Sequence, residues 1–206
     1  MRLVGENLES ERGGERLFSG LGFIVQAGEA LAVTGPNGAG KSTLLRIIAG
    51  LLAPAAGSVR FEGGPAGLEG AGAASHYLGH LNAMKPVLTL HENLGFWQSF
   101  DDSGNGGGKT SIAQALERVG LGEIGHLPFG YLSTGQRRRA SIARLLVSDR
   151  PLWLLDEPTA GLDRASDMQF SGLMRGHLSN GGIIVAATHL PLGLEGSKEL
   201  MLGTAS

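Results

Sequence analysis

The chain has 206 residues, of which 42% are hydrophobic, a formal net charge of -2 and a sequence pI of about 6.3. This length suits one well-buried domain with a small subdomain. The charge argues against a non-specific nucleic-acid binder, and the lack of cysteine excludes disulfides and thiolate metal sites. We identify no signal peptide and no apolar run near the ~18 residues of a membrane span, which predicts a cytosolic protein that reaches a membrane only through a partner.

The first third of the chain is predicted to contain strands and one helix. The segment FIVQAGEALAVTG indicates two short strands separated by a turn at residues 27–29, the second strand covering residues 31–34. STLLRIIAGLL has helical spacing and is predicted to stop near Pro54, and SVRFEG is predicted to be another strand.

A phosphate-binding pattern follows the second of these strands. The pattern G-x-x-x-x-G-K-[ST] is matched in full by Gly35, Pro36, Asn37, Gly38, Ala39, Gly40, Lys41 and Ser42. Thr43 comes next. Such a loop turns consecutive backbone N–H groups toward one anion, and the helix N-terminus adds partial positive charge. We predict that Lys41 reaches the β- and γ-phosphates and that the Ser42 hydroxyl ligates Mg²⁺. The strand before the loop and the helix after it disfavour the alternative, an ordinary glycine turn.

The middle of the chain, approximately residues 88–147, is predicted to be a helical subdomain inserted between two strands of a sheet. Its helical patterns are LTLHENLGFWQSF, SIAQALERVG and GQRRRASIARLLVS. Ser133 and Gln136 fit a capping box, so a helix is predicted to begin there. The three arginines at 137–139 then lie about 100° apart around the helix, which forms no single basic stripe and disfavours a nucleic-acid patch. We expect them to stabilise helix and dimer surfaces.

The last third places acidic residues and a histidine after apolar strands. LWLLD and IIVAATH are predicted to be buried strands, with an amphipathic helix, RASDMQFSGLMRGHL, between them. Carboxyl ends of parallel strands meet at one edge, so Gly35, Asp156 and His189 are predicted to converge. Asp156 would hold Mg²⁺, usually through water, while Glu157 would polarise the attacking water and His189 would sense the γ-phosphate. The alternatives are two solvated acids and a structural histidine.

These motifs, in the order phosphate loop, LSTGQ, LLDEPTAGLD and ATH, resemble those of an ATP-binding cassette (ABC) ATPase over nearly the whole chain. The resemblance implies an α/β fold: a P-loop NTPase with a mainly parallel sheet, an N-terminal antiparallel β part and the inserted helical subdomain, all within one domain of residues 1–206. It implies ATP and Mg²⁺ as cofactors and a head-to-tail dimer of two copies. In that dimer a signature segment would contact the γ-phosphate of the ATP held by the partner copy. The signature consists of Leu132, Ser133, Thr134, Gly135 and Gln136. The AGLD loop, with Asp163, resembles the stretch that crosses the dimer interface, and a helix N-cap at Asp163 ahead of RASDMQF is compatible with that role.

A finer resemblance is to the ATP-binding subunit of the cytochrome c maturation, or heme exporter, system. YLGHLNAMKPVLTLHENLGFW and LSTGQRRRASIARLLVSDRPLWLLDEPTAGLD carry it. It implies a multi-spanning membrane subunit as partner, with further cytochrome c maturation membrane proteins as possible partners, no nucleic acid, and a peripheral place on the cytoplasmic face of the bacterial inner membrane. ATP use is then tied either to heme export or to release of a heme chaperone.

Three positions depart from the general cassette pattern. His80 stands where most cassettes carry a glutamine, and because Mg²⁺ prefers oxygen we expect it to act through water or a hydrogen bond. Arg12 falls where an aromatic residue usually stacks on adenine, and a guanidinium plane can also stack on a base. Thr134 replaces a signature glycine, so the backbone there is expected not to need a positive φ.

Three other functions remain open from the sequence. One is the ATPase of another small ABC exporter. A second is a soluble cassette acting on nucleic acid or ribosomes, which the absence of a second cassette or a long coiled coil disfavours. A third is a nucleotide-binding scaffold without hydrolysis, which Lys41, Asp156, Glu157 and His189 argue against.

A second Gly-Lys-Thr, in NGGGKTS, gives a first prediction. Six residues before Lys109 stands Ser103 rather than glycine, and no strand pattern precedes it, so we interpret the segment as a flexible loop that caps the next helix. Lys109→Ala is therefore expected to leave ATP affinity unchanged in a nucleotide-binding titration. A tenfold loss would contradict this interpretation.

Overall fold

The computed structural model describes residues 1–99, 110–189 and 192–203. Lys109 of the second Gly-Lys-Thr lies outside the described residues. The chain divides into two units. The first unit comprises Met1–Gly79, Arg150–Pro158 and Leu173–Ser206, and the second comprises His80–Asp149 and Thr159–Gly172.

An antiparallel sheet opens the first unit. It consists of β1 (Arg2–Arg12), β2 (Glu15–Gln26) and β4 (Ala56–Glu62), in the order β2-β1-β4. Gly13 and Gly14, both with positive φ, connect β1 to β2. The antiparallel N-terminal part that the resemblance implied is therefore confirmed.

A parallel sheet forms the rest of the β structure. Its strands, in the order β5-β6-β7-β3-β8, are β3 (Ala30–Thr34), β5 (Ser75–Leu78), β6 (Leu152–Asp156), β7 (Ile183–Ala187) and β8 (Lys198–Met201). Every residue of β6 and β7 is buried, as expected for central strands covered on both faces. The two buried strands predicted in the last third of the chain are confirmed.

Helix α1 (Lys41–Ile48) lies in the core between the two sheets. Its buried Leu44, Leu45 and Ile48 belong to one cluster with residues of the antiparallel sheet and with β3, β6 and β7. The helix ends at Ile48, so the prediction that it stops near Pro54 is wrong. Gly50 adopts a φ of 69° and donates to the carbonyl of Ile47, while Leu51 donates to that of Arg46. This pair of bonds terminates a helix at a glycine.

The second unit contains α2 (Leu90–Ser99), α3 (Ile112–Glu117) and α4 (Thr134–Val147), and α5 (Arg164–Ser179) begins in it. The predicted capping box is present: the Ser133 hydroxyl accepts from the Gln136 backbone N–H, and the Gln136 side chain accepts from the Ser133 N–H. Ser111 and Gln114 form a second capping box at α3, so the end of NGGGKTS does cap the next helix.

The consecutive arginines of α4 contact separate parts of the second unit. Arg137 donates to the Gly130 carbonyl at 2.7 Å, and Arg139 donates to those of Val119 and Gly120. Arg138 is 7% exposed. They form no basic surface stripe, and two of them bind backbone carbonyls of the loops that precede α4.

One buried arginine joins two helices of this unit. The Arg144 guanidinium lies 4.5 Å from the centre of the Trp97 ring, a cation–π arrangement. Burial lowers the pKa of Arg144 to about 10, which still leaves it charged at neutral pH. Over residues 1–99, 110–189 and 192–203, no helix has the length and apolar character needed to cross a membrane.

The cap of the six-residue helix α3 gives a stability prediction. Ser111→Ala removes the side-chain oxygen that accepts from the Gln114 N–H, so we expect the free energy of unfolding to fall by about 1 kcal/mol in urea titrations. Ser99→Ala is the matched control, because that hydroxyl donates to a carbonyl inside its own helix and caps no N-terminus. Equal losses in both variants would contradict the role of the cap.

Candidate nucleotide-binding site

The loop between β3 and α1 has the backbone that the phosphate-binding pattern predicts. Gly35 has a φ of 129°, and a Cβ there would collide with the Leu202 carbonyl, so only glycine fits. Gly40 precedes the first residue of α1 in the left-handed region, with a φ of 95°. The helix therefore starts at a residue with no side chain to cap it, and its N–H groups face the loop.

Lys41 folds back over this loop. Its ammonium donates to the carbonyl oxygens of Gly35, at 2.7 Å, and Pro36, at 3.0 Å, and the residue is only 8% exposed. The ammonium thus lies within the curve of the loop, where phosphate oxygens could replace the two carbonyls as its acceptors.

Ser42 and Asp156 bring two oxygen ligands together. The Ser42 hydroxyl donates to Oδ1 of Asp156 at 2.9 Å, and Asp156, the last residue of β6, is 1% exposed. Mg²⁺ at nucleotide sites takes one or two protein oxygens and completes its shell with phosphates and water. A hydroxyl and a carboxylate fit that ion. The described residues contain no group of three or more His, Asp or Glu side chains that could hold a metal without a nucleotide.

Tyr77 also contacts this carboxylate, which no pattern in the sequence predicted. Its hydroxyl donates to Oδ2 of Asp156 at 3.2 Å. Burial raises the pKa of Tyr77, so the phenol is neutral and can donate at physiological pH. The only signal in the sequence was a tyrosine in the short segment SHYL, which carries no recognisable motif.

Glu157 and His189 meet just beyond the ends of β6 and β7. His189 Nε2 lies 2.8 Å from Asn37 Oδ1 in the phosphate loop and 3.4 Å from Glu157 Oε1. The Glu157 backbone is in the left-handed region, with a φ of 46°, and its N–H donates to the Ala187 carbonyl. An unfavourable backbone at a candidate catalytic residue is common where function requires a particular side-chain direction.

The first unit therefore brings together the candidate residues from the phosphate loop, the end of β6 and the segment after β7. They line one edge of the parallel sheet, as the sequence predicts for Gly35, Asp156 and His189. Arg12 lies in the same unit at the end of β1, opposite Glu15, and is exposed.

The remaining candidates belong to the second unit. Residues 132–136 lead into α4, and neither Thr134 nor Gly135 has a positive φ, so the expectation for Thr134 is confirmed. Asp163 caps α5, because its carboxylate accepts from the Ser166 N–H at 2.8 Å, and this bond lowers its pKa. His80 is the first residue of the unit and is exposed.

Comparison with known proteins gives consistent results. Residues 18–160 match the ABC transporter family. The cytochrome c biogenesis ATP-binding export protein CcmA of Chelativorans sp. (strain BNC1) is 67% identical over 206 residues, which cover all of both chains. The protein of the same name from Brucella abortus (strain 2308) is 61% identical over 197 residues, or 96% of this chain and 89% of that one.

Solved structures share the fold. A putative ABC transporter ATP-binding protein from Pyrococcus furiosus superposes with a TM-score of 0.80, covers 98% of each chain and is 21% identical. A bacterial Atm1-family ABC exporter with ATP bound gives a TM-score of 0.81 at 23% identity, with 98% of this chain and 37% of that chain covered.

The left-handed backbone of Glu157 gives a stability prediction. A residue with a Cβ costs about 1 kcal/mol more than glycine in that region, so Glu157→Gly is expected to raise the free energy of unfolding by about that amount. Glu157→Gln, which keeps the Cβ, is the control and should lie within about 0.5 kcal/mol of the parent. Urea unfolding of the three proteins is the measurement, and a glycine variant no more stable than the parent would show that the backbone stores no strain.

Proposed function

The chain belongs to the ABC transporter family, and from this premise we propose that it is the ATP-hydrolysing motor subunit of a bacterial membrane complex for cytochrome c biogenesis. The single observation that carries the site assignment is the convergence of Lys41, Ser42, Asp156, Glu157 and His189 at one edge of the parallel sheet. The full-length relatives support the biological role. Hydrolysis would drive heme export or the release of a heme chaperone.

ATP binding is assigned to the phosphate loop. In this proposal the triphosphate of ATP is held by the backbone and side chains of Gly35, Pro36, Asn37, Gly38, Ala39, Gly40, Lys41, Ser42 and Thr43. Lys41 exchanges its two loop carbonyls for β- and γ-phosphate oxygens, which are stronger acceptors because they are charged. The guanidinium of Arg12 stacks on the adenine.

The metal site is assigned to Ser42 and Asp156. Magnesium bound there would offset the negative charge that develops on the phosphates. The carboxylate is held for this role by the hydrogen bond from Ser42 on one oxygen.

The chemical step is assigned to Glu157 and His189. Glu157 accepts the proton of a water molecule whose oxygen attacks the γ-phosphorus, while the bond from that phosphorus to the bridging oxygen breaks and ADP leaves. His189 donates from Nε2 to the γ-phosphate, having released Asn37, and also orients Glu157 or the water. His80 acts through water or a hydrogen bond.

A second copy of the chain is proposed to complete each site. The N-terminus of α4, with Leu132, Ser133, Thr134, Gly135 and Gln136, presents N–H groups to the γ-phosphate held by the partner copy. Asp163 lies at the same interface. In this dimer residues 1–206 act as one ATPase domain with a helical subdomain over approximately residues 88–147.

A membrane subunit is the other proposed partner. As a membrane-associated ABC ATPase, the chain would sit peripherally on the cytoplasmic face of the bacterial inner membrane, against a multi-spanning subunit and further cytochrome c maturation proteins. The membrane subunit would set what is moved.

Replacing the proposed base tests the function. Glu157→Gln is expected to retain ATP binding and to lower phosphate release by roughly 10²- to 10⁴-fold, because the amide cannot accept the proton of water. It should also accumulate an ATP-bound dimer, detectable by light scattering with Mg²⁺. The matched control is Lys109→Ala, which should hydrolyse ATP as the parent does.

Two results would count against the proposal. Parental turnover in Glu157→Gln would place the base elsewhere. If Glu157→Gln stayed monomeric at every ATP concentration, with the membrane subunit supplied, the proposal that two copies share each site would be contradicted.

A further inference from the structure

We propose that Tyr77 is a positioning residue for magnesium: its hydroxyl donates to Oδ2 of Asp156 and orients the carboxylate that holds the ion beside Ser42. The inference rests on the proposed function, and it adds a residue that neither the motifs nor the catalytic assignment contains. A group that hydrogen-bonds a metal ligand fixes its orientation and sets its strength as a ligand.

The register of the sheet places Tyr77 at this carboxylate. Strands β5 and β6 are parallel, and Tyr77 lies opposite Leu154. Side chains alternate between the faces of a sheet, so Leu154 and Asp156 share a face and Tyr77 shares it with them. The long phenol therefore reaches along that face to the end of β6. A shorter polar side chain at position 77 would lie opposite Leu154 and fall short of Asp156.

The partner of the phenol determines which way its hydrogen points. A carboxylate has no donor, so the Tyr77 hydroxyl donates and Oδ2 of Asp156 accepts. A hydrogen bond to a charged oxygen is stronger than one between neutral groups, so this bond holds the carboxylate in a defined orientation.

Two hydroxyls hold the carboxylate of Asp156. Ser42, the second residue of α1, donates to Oδ1 at 2.9 Å, and Tyr77, on β5, donates to Oδ2 at 3.2 Å. The carboxylate is thus held from both sides, and Tyr77 is the member that can lose its hydroxyl while keeping its ring.

The test separates metal binding from nucleotide binding. In the Glu157→Gln background, calorimetry measures the ATP affinity once with Mg²⁺ and once with EDTA. The ratio of the affinity in Mg²⁺ to the affinity in EDTA gives the contribution of the metal. Tyr77→Phe keeps the ring and is expected to lower this ratio by about tenfold while leaving ATP affinity in EDTA unchanged. An unchanged ratio, or an equal loss under both conditions, would overturn the proposal.

The chain supplies a matched control, because it contains two tyrosines. Tyr131 is in the second unit with 82% exposure, and Tyr131→Phe should leave the ratio unchanged. Lys41→Ala in the same background distinguishes failure of the proposed function from failure of the role of Tyr77. If that variant keeps its ATP affinity in EDTA, the proposed function fails; if it loses affinity while Tyr77→Phe has no effect, only the role of Tyr77 is lost.

A second measurement keeps the native side chain, in case Tyr77→Phe unfolds. Tyrosine labelled with ¹³C at Cζ gives one resonance from each tyrosine, and Tyr131→Phe assigns them. The Tyr77 resonance is expected to move when Mg²⁺ is added to the ATP-bound Glu157→Gln protein and to return with EDTA. A Tyr77 resonance that ignores magnesium would contradict the proposal.

Discussion

The parallel pairing of β3, β6 and β7 is the constraint on which the candidate site depends. Because the three strands run in the same direction, their carboxyl ends open at one edge of the sheet. The phosphate loop leaves β3 there, Asp156 ends β6 there, and the segment carrying His189 leaves β7 there. An antiparallel neighbour would have put one of these groups at the opposite edge. Because β6 and β7 are completely buried, a shift in register would displace side chains that are packed on both faces of the sheet.

Within this site, groups suited to phosphate or metal are paired with groups of the protein itself. Lys41 binds two carbonyls of its own loop, Ser42 binds Asp156, and His189 lies against Asn37. For the buried Lys41 and Asp156, these pairings satisfy polar groups that would otherwise be costly to bury. In the proposed mode of binding, a nucleotide would exchange this set of hydrogen bonds for another, and charged phosphate oxygens are stronger acceptors than backbone carbonyls.

In the second unit, charged arginine side chains hold neighbouring segments of the unit together. Arg137 and Arg139 bind carbonyls of neighbouring loops, and Arg144 lies over Trp97. A run of three arginines could have suggested a surface for an acidic partner. Because they are separated around α4, each arginine contacts a different part of the second unit, and Arg137 and Arg139 hold the loops that precede α4.

The features that the sequence determined by itself are those that depend on neighbours along the chain. The phosphate loop, the buried strands after it and the capping box at Ser133 follow from residues within a few positions of one another. The end of α1 was missed although its cause is local, because Gly50 outweighed the helical spacing that continues to Leu52. The tertiary structure alone decided the order of the strands, the pairing of His189 with Asn37 and the bond from Tyr77 to Asp156, which are 79 positions apart. Those contacts are set by which strands and loops become neighbours in space, and a short segment such as SHYL contains no local pattern that specifies its neighbour.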